Sequence, residues 1–376
     1  MFLETKRLIL RPWLETDAKS LYEYAKDPQV GPIAGWTVHT SVKNSLEIIR
    51  SVLAVPETFA VCLKKDNKAI GSIGLMMGKQ SNIANLTNNE AEVGYWIGVP
   101  FWGSGLIPEA VHCLQKYAFE TLGMEKLWCG YFDGNTKSKR VQEKCGFRYQ
   151  YTLKDIEWKL MNDIRTEHIT CLTKEEWKNI NQTNLLKLSD QSLQRAKEII
   201  NELQIVETWQ KFGAKANLVG SVRMGLMMKH LDIDFHIYSE RFSVADSFAA
   251  IAAFAENSCI KHISYTNLID TDEKCIEWHL WYHDTDSCVW QLDMIHILND
   301  SPYAGYFERM ADRISAVLTL EQKFAILSIK NEVLDSEHVM GVEIYQAVIR
   351  DGVRTYAEFT EWHKTHQPNG IVEWMP

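Results

Sequence analysis

The sequence contains no apolar run of membrane-spanning length, which excludes a helical membrane protein. It has no excess of positive charge: 40 Lys and Arg stand against 49 Asp and Glu, a net of −9. With a pI near 5.8, that balance excludes general binding to nucleic acid or to an anionic membrane surface. A local basic pocket for one phosphorylated ligand stays compatible with it. The eight cysteines include no CxxC pair and no regular framework, so reduced thiols in a cytoplasm are expected. Cys259 and His262 are spaced as metal ligands can be, but no second pair accompanies them, and core packing is the plainer expectation. Met1-Phe2-Leu3-Glu4 does not begin a signal peptide.

At 376 residues the chain exceeds one typical core, and two domains are expected. The 13 tryptophans are many, and most are expected to fill cores rather than line clefts. In the first half the patterns predict a strand over 8–13, helices over 16–26 and 41–53, and a hairpin of strands 58–64 and 69–77. A polar loop over 80–89 leads into a strand over 90–98. A helix over 104–122, a strand over 126–132, a helix over 135–145 closed by Gly146, and strands over 147–152 and 164–172 follow. The centre of this half is Tyr95-Trp96-Ile97-Gly98-Val99-Pro100-Phe101-Trp102-Gly103-Ser104-Gly105-Leu106, a strand that ends in a glycine turn and opens a helix. Free N–H groups at such a turn suit a phosphate or pyrophosphate.

The first half resembles the GNAT superfamily of acetyl-CoA-dependent N-acetyltransferases, nearest the branch that acetylates ribosomal-protein N-termini. The resemblance rests on Arg7-Leu8-Ile9-Leu10-Arg11-Pro12, Gly94-Tyr95-Trp96-Ile97, Trp102-Gly103-Ser104-Gly105 with Glu109-Ala110, Asn135 through Ser138 to Glu143-Lys144-Cys145-Gly146-Phe147, and Leu172-Thr173-Lys174-Glu175-Glu176-Trp177. It implies a cofactor pyrophosphate on the backbone N–H groups of Phe101, Trp102, Gly103, Ser104, Gly105 and Leu106. It also implies a pantetheine arm added like a strand beside the strand over 90–98. Pro100 stands where the family usually has Gln or Arg, so one side-chain contact is missing.

Acetyl transfer needs a base for the incoming ammonium and an acid for the leaving thiolate. Glu92 is the candidate base, directly or through water; the plain alternative is a surface carboxylate at a strand start. Asn135 matches a cofactor-contacting asparagine and also suits a helix N-cap. Ser138 matches the proposed acid of the ribosomal-protein branch, or is an ordinary helix serine. Tyr131 is a competing phenol.

A polar tract over 179–184 reads as a domain boundary, with a new helix starting near Ser189. Further on, Gly220-Ser221 with Gly225 precedes Leu231-Asp232-Ile233-Asp234-Phe235, an alternating strand that puts both carboxylates on one face. Adjacent carboxylates repel unless a divalent cation joins them, and Asp293, in an apolar strand-like context, suits a third ligand. This pattern resembles the nucleotidyltransferase fold of the DNA polymerase β superfamily. It implies NTP phosphates at Gly220 and Ser221, Mg²⁺ on Asp232, Asp234 and Asp293, and Asp293 as base. The alternative is a glycine turn beside a solvent-facing acidic strand. Arg223 and Lys229 either contact phosphates or are solvated. Glu277, His279 and Trp281 alternate on one strand face, lining an acceptor pocket or simply packing.

The expected architecture is therefore α+β, mixed α/β. A GNAT fold with a largely antiparallel sheet flanked by helices spans 1–177 and a linker 178–188. A nucleotidyltransferase-like α/β core spans 189–300 and a helical C-terminal subdomain 301–376. The expected function is acetyl transfer from acetyl-CoA to a primary amine, either a small molecule or a protein N-terminus, with a fused Mg²⁺- and NTP-using domain. The alternative is a sensor in which one or both halves bind acetyl-CoA or nucleotide without turnover.

Overall fold

The computed structural model describes residues 2–285, 288–334, 337–366 and 374–376. The chain divides into two compact units, Met1–Ile180 and Asn181–Pro376.

The first unit is built on an eight-stranded sheet. Its strands are β1 (Leu3–Glu4), β2 (Leu8–Pro12), β3 (Thr58–Leu63), β4 (Ala69–Met76), β5 (Glu90–Ile97), β6 (Lys126–Phe132), β7 (Arg148–Trp158) and β8 (Asp163–Thr173). They lie in the order β1-β2-β3-β4-β5-β6-β8-β7, and only β5 and β6 are parallel neighbours. That pair is joined at Glu90↔Lys126, Ala91↔Leu127 and Glu92↔Trp128. Past Glu92, β5 continues to Ile97 on β4, while β6 continues to Phe132 on β8. The sheet is split open between them.

Helices α1 (Ala18–Ala25) and α2 (Val42–Ile48) cover one face, where Leu21, Ala25 and Ile49 pack on Trp13, Ala60 and Cys62. α3 (Leu106–Lys116) covers the other, with Ala110, Val111 and Leu114 against Val61, Val93 and Leu127. α4 (Thr136–Lys144) follows β6, and its carboxyl end turns at Gly146 with φ +84°. Two caps fix helix starts: Ser41 Oγ accepts the Asn44 N–H and Asn135 Oδ1 accepts the Ser138 N–H, each at 3.1 Å. The expected helix over 104–122 begins only at Leu106, because Gly103 and Gly105 take φ +75° and +76°.

Residues 178–188 are not the polar linker that their composition suggests. α5 (Lys174–Glu202) runs through them as one helix. Trp177 belongs to the core of the first unit, and Ala196 and Ile199 to that of the second. With both ends fixed by burial, Asn, Gln and Thr in the middle are tolerated at a few tenths of a kcal/mol each.

The second unit holds a five-stranded sheet of β9 (Lys215–Leu218), β10 (Asp232–Ser239), β11 (Ile260–Asn267), β12 (Cys275–His283) and β13 (Val289–Leu298), ordered β11-β12-β13-β10-β9. β10 and β13 are parallel, and the other neighbours antiparallel. Helices α6 (Ile205–Lys211), the short α7 (Gly220–Met224) and α8 (Val244–Ala255) interleave with these strands. Along β13, Trp290, Leu292, Met294 and His296 are buried, and the first three pack with Trp209 and Phe254; Gln291 and Asp293 point the other way. α9 (Tyr306–Val317), α10 (Leu320–Glu332), α11 (Gly341–Ile349) and α12 (Tyr356–Thr365) share a core of Met310, Ile326, Ile344 and Phe359 that also takes in Met224 and Leu226.

Candidate active site

The glycine turn of the first unit opens with a tight turn at Val99–Phe101, into which Pro100 fits without loss because the backbone there needs no donor. Two of the six expected donors are used inside the turn: Phe101 N–H bonds Gly98 O at 3.0 Å and Trp102 N–H bonds Val99 O at 3.1 Å. The N–H groups of Gly103, Ser104 and Gly105 donate to nothing among the described residues. Gly103 has no atom within 4 Å of where a Cβ would stand. Open space over free donors, followed by the start of α3, is a cradle that fits the pyrophosphate of a CoA. Glu109 braces it from within α3. Its carboxylate takes Arg7 Nε at 2.6 Å and Arg7 N–H at 2.8 Å, while Arg7 Nη1 holds Ser104 O at 2.9 Å. Lys137, at the start of α4, places its ammonium 3.3 Å from the centroid of the Trp102 ring, a cation beside the turn that no motif pointed to.

The split between β5 and β6 has two sides. On the α4 side, Tyr95 Oη lies 3.0 Å from Ser138 Oγ and also donates to Ser138 O at 3.2 Å. Gln142 Nε2 donates to the same hydroxyl at 3.2 Å. Burial holds the Tyr95 phenol well above its ordinary value, so it stays protonated. Ser138 is therefore part of a hydroxyl pair rather than a solvated helix serine, and Tyr95, which stood in the Gly94-Tyr95-Trp96-Ile97 motif without an assigned role, becomes a functional candidate. Tyr131 stacks instead on His168, with centroids 4.9 Å apart, and it joins neither hydroxyl. Asn135 is the N-cap of α4, and its Nδ2 reaches Ile33 O at 3.4 Å.

On the opposite side lie Glu92, Gly94 and Trp96 of β5, with Gly130 and Phe132 of β6. Glu92 is buried, not the surface carboxylate of the plain alternative. Its Oε2 accepts Ser81 Oγ–H at 2.6 Å and Asn82 N–H at 2.9 Å. Burial raises its pKa, and those donors pull it back. A second buried carboxylate, Glu167 on β8, faces the same side. It pairs in register with Phe132, and its Oε1 occupies the space that a Cβ on Gly130 would need. Burial, reinforced by the charge of Glu92, pushes Glu167 up to about 7.

In the second unit, Asp234 and Asp293 are direct partners across the parallel β10–β13 ladder, and Asp232 lies two residues earlier on the same face. Burial first, then the charges of Asp293 and Asp232, push Asp234 up to about 7; Asp232 is raised for similar reasons. A Cβ at Gly220 would collide with the Asp234 carboxylate, and the Ser221 N–H bonds to it, so Gly220-Ser221 sits directly on the Asp-x-Asp strand. Asp293 Oδ1 takes His279 Nδ1 at 2.5 Å and Gln291 Nε2 at 2.9 Å. Lys330, unsuspected from sequence, adds a cation whose field favours both Asp232 and Asp234 in their charged forms. Arg223 and Lys229 are committed elsewhere: Arg223 Nη2 pairs with Asp312 at 2.8 Å, and Lys229 Nζ donates to Val333 O. Three hard oxygen donors on one face suit Mg²⁺ in kind. Among the described residues, however, the group with ligand atoms all within 4.8 Å is Glu273, Cys275 and Glu277, not the three aspartates. Cys259 joins the sheet core, as expected. No described helix is long and apolar enough to cross a membrane.

Residues 7–148 match the profile of the acetyltransferase (GNAT) domain. The chain is 29% identical over 160 residues to Uncharacterized N-acetyltransferase p20 of Bacillus licheniformis, covering 41% of this chain and 86% of that protein. Among solved structures, it is similar to an acetyltransferase (GNAT family) from Bacillus anthracis, at 22% identity and a TM-score of 0.42, covering 46% of this chain and 99% of that one. The ribosomal-protein-S5-alanine acetyltransferase from Vibrio fischeri is similar at 20% identity and a TM-score of 0.37, covering 47% and 98%.

Proposed function

From a GNAT acetyltransferase domain at residues 7–148, we propose that the first unit transfers an acetyl group from acetyl-CoA to a primary amine, on a small molecule or a protein N-terminus. The observation that carries this reading is the split between β5 and β6, with the unengaged N–H groups of Gly103, Ser104 and Gly105 beside it. Acetyl-CoA supplies the activated thioester. The turn holds its pyrophosphate, with Asn135 at the mouth, and the open edge of β5 takes the pantetheine amides as a strand would be taken. Ser138, supported by Tyr95 and Gln142, offers a proton on the thiolate side, and Glu92 lies on the amine side. Mixing the protein with acetyl-CoA and a panel of primary amines, and following free thiol, tests the reading. Release with at least one amine is expected. Tight acetyl-CoA binding with no release on any amine would instead support a sensor.

For the second unit we propose a Mg²⁺-dependent nucleotide site at Gly220, Ser221, Asp232, Asp234 and Asp293. The specific support is the Asp234–Asp293 pairing, two half-buried carboxylates held side by side with Gly220 fitted against Asp234. A divalent ion offsets that repulsion and positions phosphates. NTP binding that needs Mg²⁺ and is lost in Asp232→Ala and Asp234→Ala is expected. Metal-independent binding would reject the assignment.

A further inference from the structure

The loop over residues 31–36 closes one side of the β5–β6 split. At one end Trp36 packs on Trp96 of β5, with centroids 5.7 Å apart. At the other, Trp158 Nε1 donates to Gly35 O at 2.6 Å and Arg165 Nη1 to Pro32 O at 2.9 Å. Gly35 lies against the Phe132 ring, which in turn meets Trp158 edge to face at 4.9 Å. The loop therefore bridges β5 and the β6–β7–β8 side, across the place where those strands part. Phe132, against the loop, is the in-register neighbour of Glu167, and Glu92 lies on the same face further back along β5.

The two carboxylates differ. Glu92 is held by Ser81 and Asn82, while no donor among the described residues reaches Glu167. Burying a carboxylate without a partner costs several kcal/mol unless something cationic joins it. Arg165, the nearest cation along β8, bonds Asp163 and the loop carbonyl and lies over the Phe132 ring at 4.6 Å, so it is committed there and not to Glu167. The other titratable groups whose charges couple to Glu167 are Glu92 on β5, Cys129 on β6 and Tyr151 on β7, none of them a cation. A ligand cation would supply the partner that Glu167 lacks among the described residues, and the paired rings of Trp36 and Trp96 suit an ammonium.

We propose that Glu167 receives the ammonium of a primary aliphatic amine beneath the loop over 31–36 and takes its proton. This rests on the acetyl-transfer reading of the first unit and gives its acceptor side a base. The ammonium N–H bond breaks, with its proton moving to the Glu167 carboxylate. The freed lone pair forms the C–N bond to the acetyl carbon as the C–S bond breaks. The sulfur leaves with that bond's electron pair and takes up the nitrogen's second proton. An apparent pKa near neutrality is what a base of this kind needs, and burial beside Glu92 gives it.

The test uses the full chain labelled with ¹³C at the glutamate carboxyls, with pentylamine as probe and 1-pentanol as its uncharged counterpart. Glu167→Gln assigns the resonance. Pentylamine is expected to shift the Glu167 signal and lower its titration midpoint, and pentanol to leave it unmoved. In Glu167→Gln, pentylamine binding should weaken about tenfold, while acetyl-CoA binding changes by less than about twofold. Glu167→Asp should recover part of the amine affinity. No pentylamine response in the wild type, or equal affinity in Glu167→Gln, would overturn the proposal. If Glu167→Gln fails to fold, the wild-type comparison of amine with alcohol decides alone, the signal then being identified from Glu167→Asp. Failure of wild-type acetyl-CoA binding would instead count against the acetyl-transfer reading itself.

Discussion

Replacing Gly220 by alanine places a methyl group where the Asp234 carboxylate already lies, and two costs add. Gly220 has φ +65°, and the left-handed region costs a residue with a Cβ about 1–2 kcal/mol. The methyl must also displace Asp234, whose Oδ2, Cγ and Cβ are the three nearest atoms, and so disturb its bond from the Ser221 N–H. Losing a hydrogen bond to a charged group costs about 1.5–3 kcal/mol. Together they give about 2.5–5 kcal/mol. Gly213→Ala is the matched control, with φ +76° and nothing within 4 Å of its Cβ, so only the backbone cost applies. Amide hydrogen exchange in the full chain, read on peptides covering β10 and β13, separates the two. At about 1.4 kcal/mol per tenfold, Gly220→Ala should speed exchange there by roughly 60- to 4,000-fold and Gly213→Ala by roughly 5- to 30-fold. Equal acceleration in the two variants would refute the close seating of Gly220 on Asp234.

Three further outcomes follow from the geometry. Glu167 keeps its proton up to about pH 7 in the folded chain against an ordinary 4.5, so its contribution to stability is full below about 4.5 and declines as pH rises through 7. Thermal unfolding of Glu167→Gln should therefore gain on the wild type between pH 5 and 8, by about 1–3 kcal/mol allowing for solvent screening. Asp284 is held down to about 2, chiefly by its bond from Arg195, against an ordinary 3.8. The advantage of the wild type over Arg195→Gln should be complete at pH 6 and fade as acid unfolding is followed from pH 4 towards 2. Lys137→Ala removes the ammonium over Trp102, and calorimetry should show acetyl-CoA binding weakened about fivefold with the glycine turn intact.

Legibility in the sequence followed the kind of force involved. Strands with clean alternation or strong apolar content were placed almost to the residue, as with β3, β4 and β6. The capping residues Ser41 and Asn135 stood at the expected helix starts. The helix through 178–188 was hidden because its stability comes from Trp177 and Ala196 at the two ends, while the tract between has the composition of a loop. Asp232, Asp234 and Asp293 were visible as a spacing plus a strand context. Glu167 and Lys330 carried no motif. Glu167 reaches the site through the register of β6 on β8, and Lys330 through the packing of α10, neither of which is local in sequence. Tyr95 stood inside a quoted motif, but its meeting with Ser138 depends on how α4 folds back over β5.

The parallel pairing of β10 with β13 also acts as a proofreader of folding. Side chains alternate sides along each strand, so a slip of β13 by one position would exchange Asp293 for Leu292 or Met294. The carboxylate would then enter the layer occupied by Trp209 and Phe254, where no described cation waits, and His279 would lose its partner on the other side. Only the in-register chain keeps that charge out of the apolar layer. The same aspartate that suits metal chemistry thus makes misaligned sheets self-penalising, and its replacement by an apolar residue should leave the strand free to settle in more than one alignment.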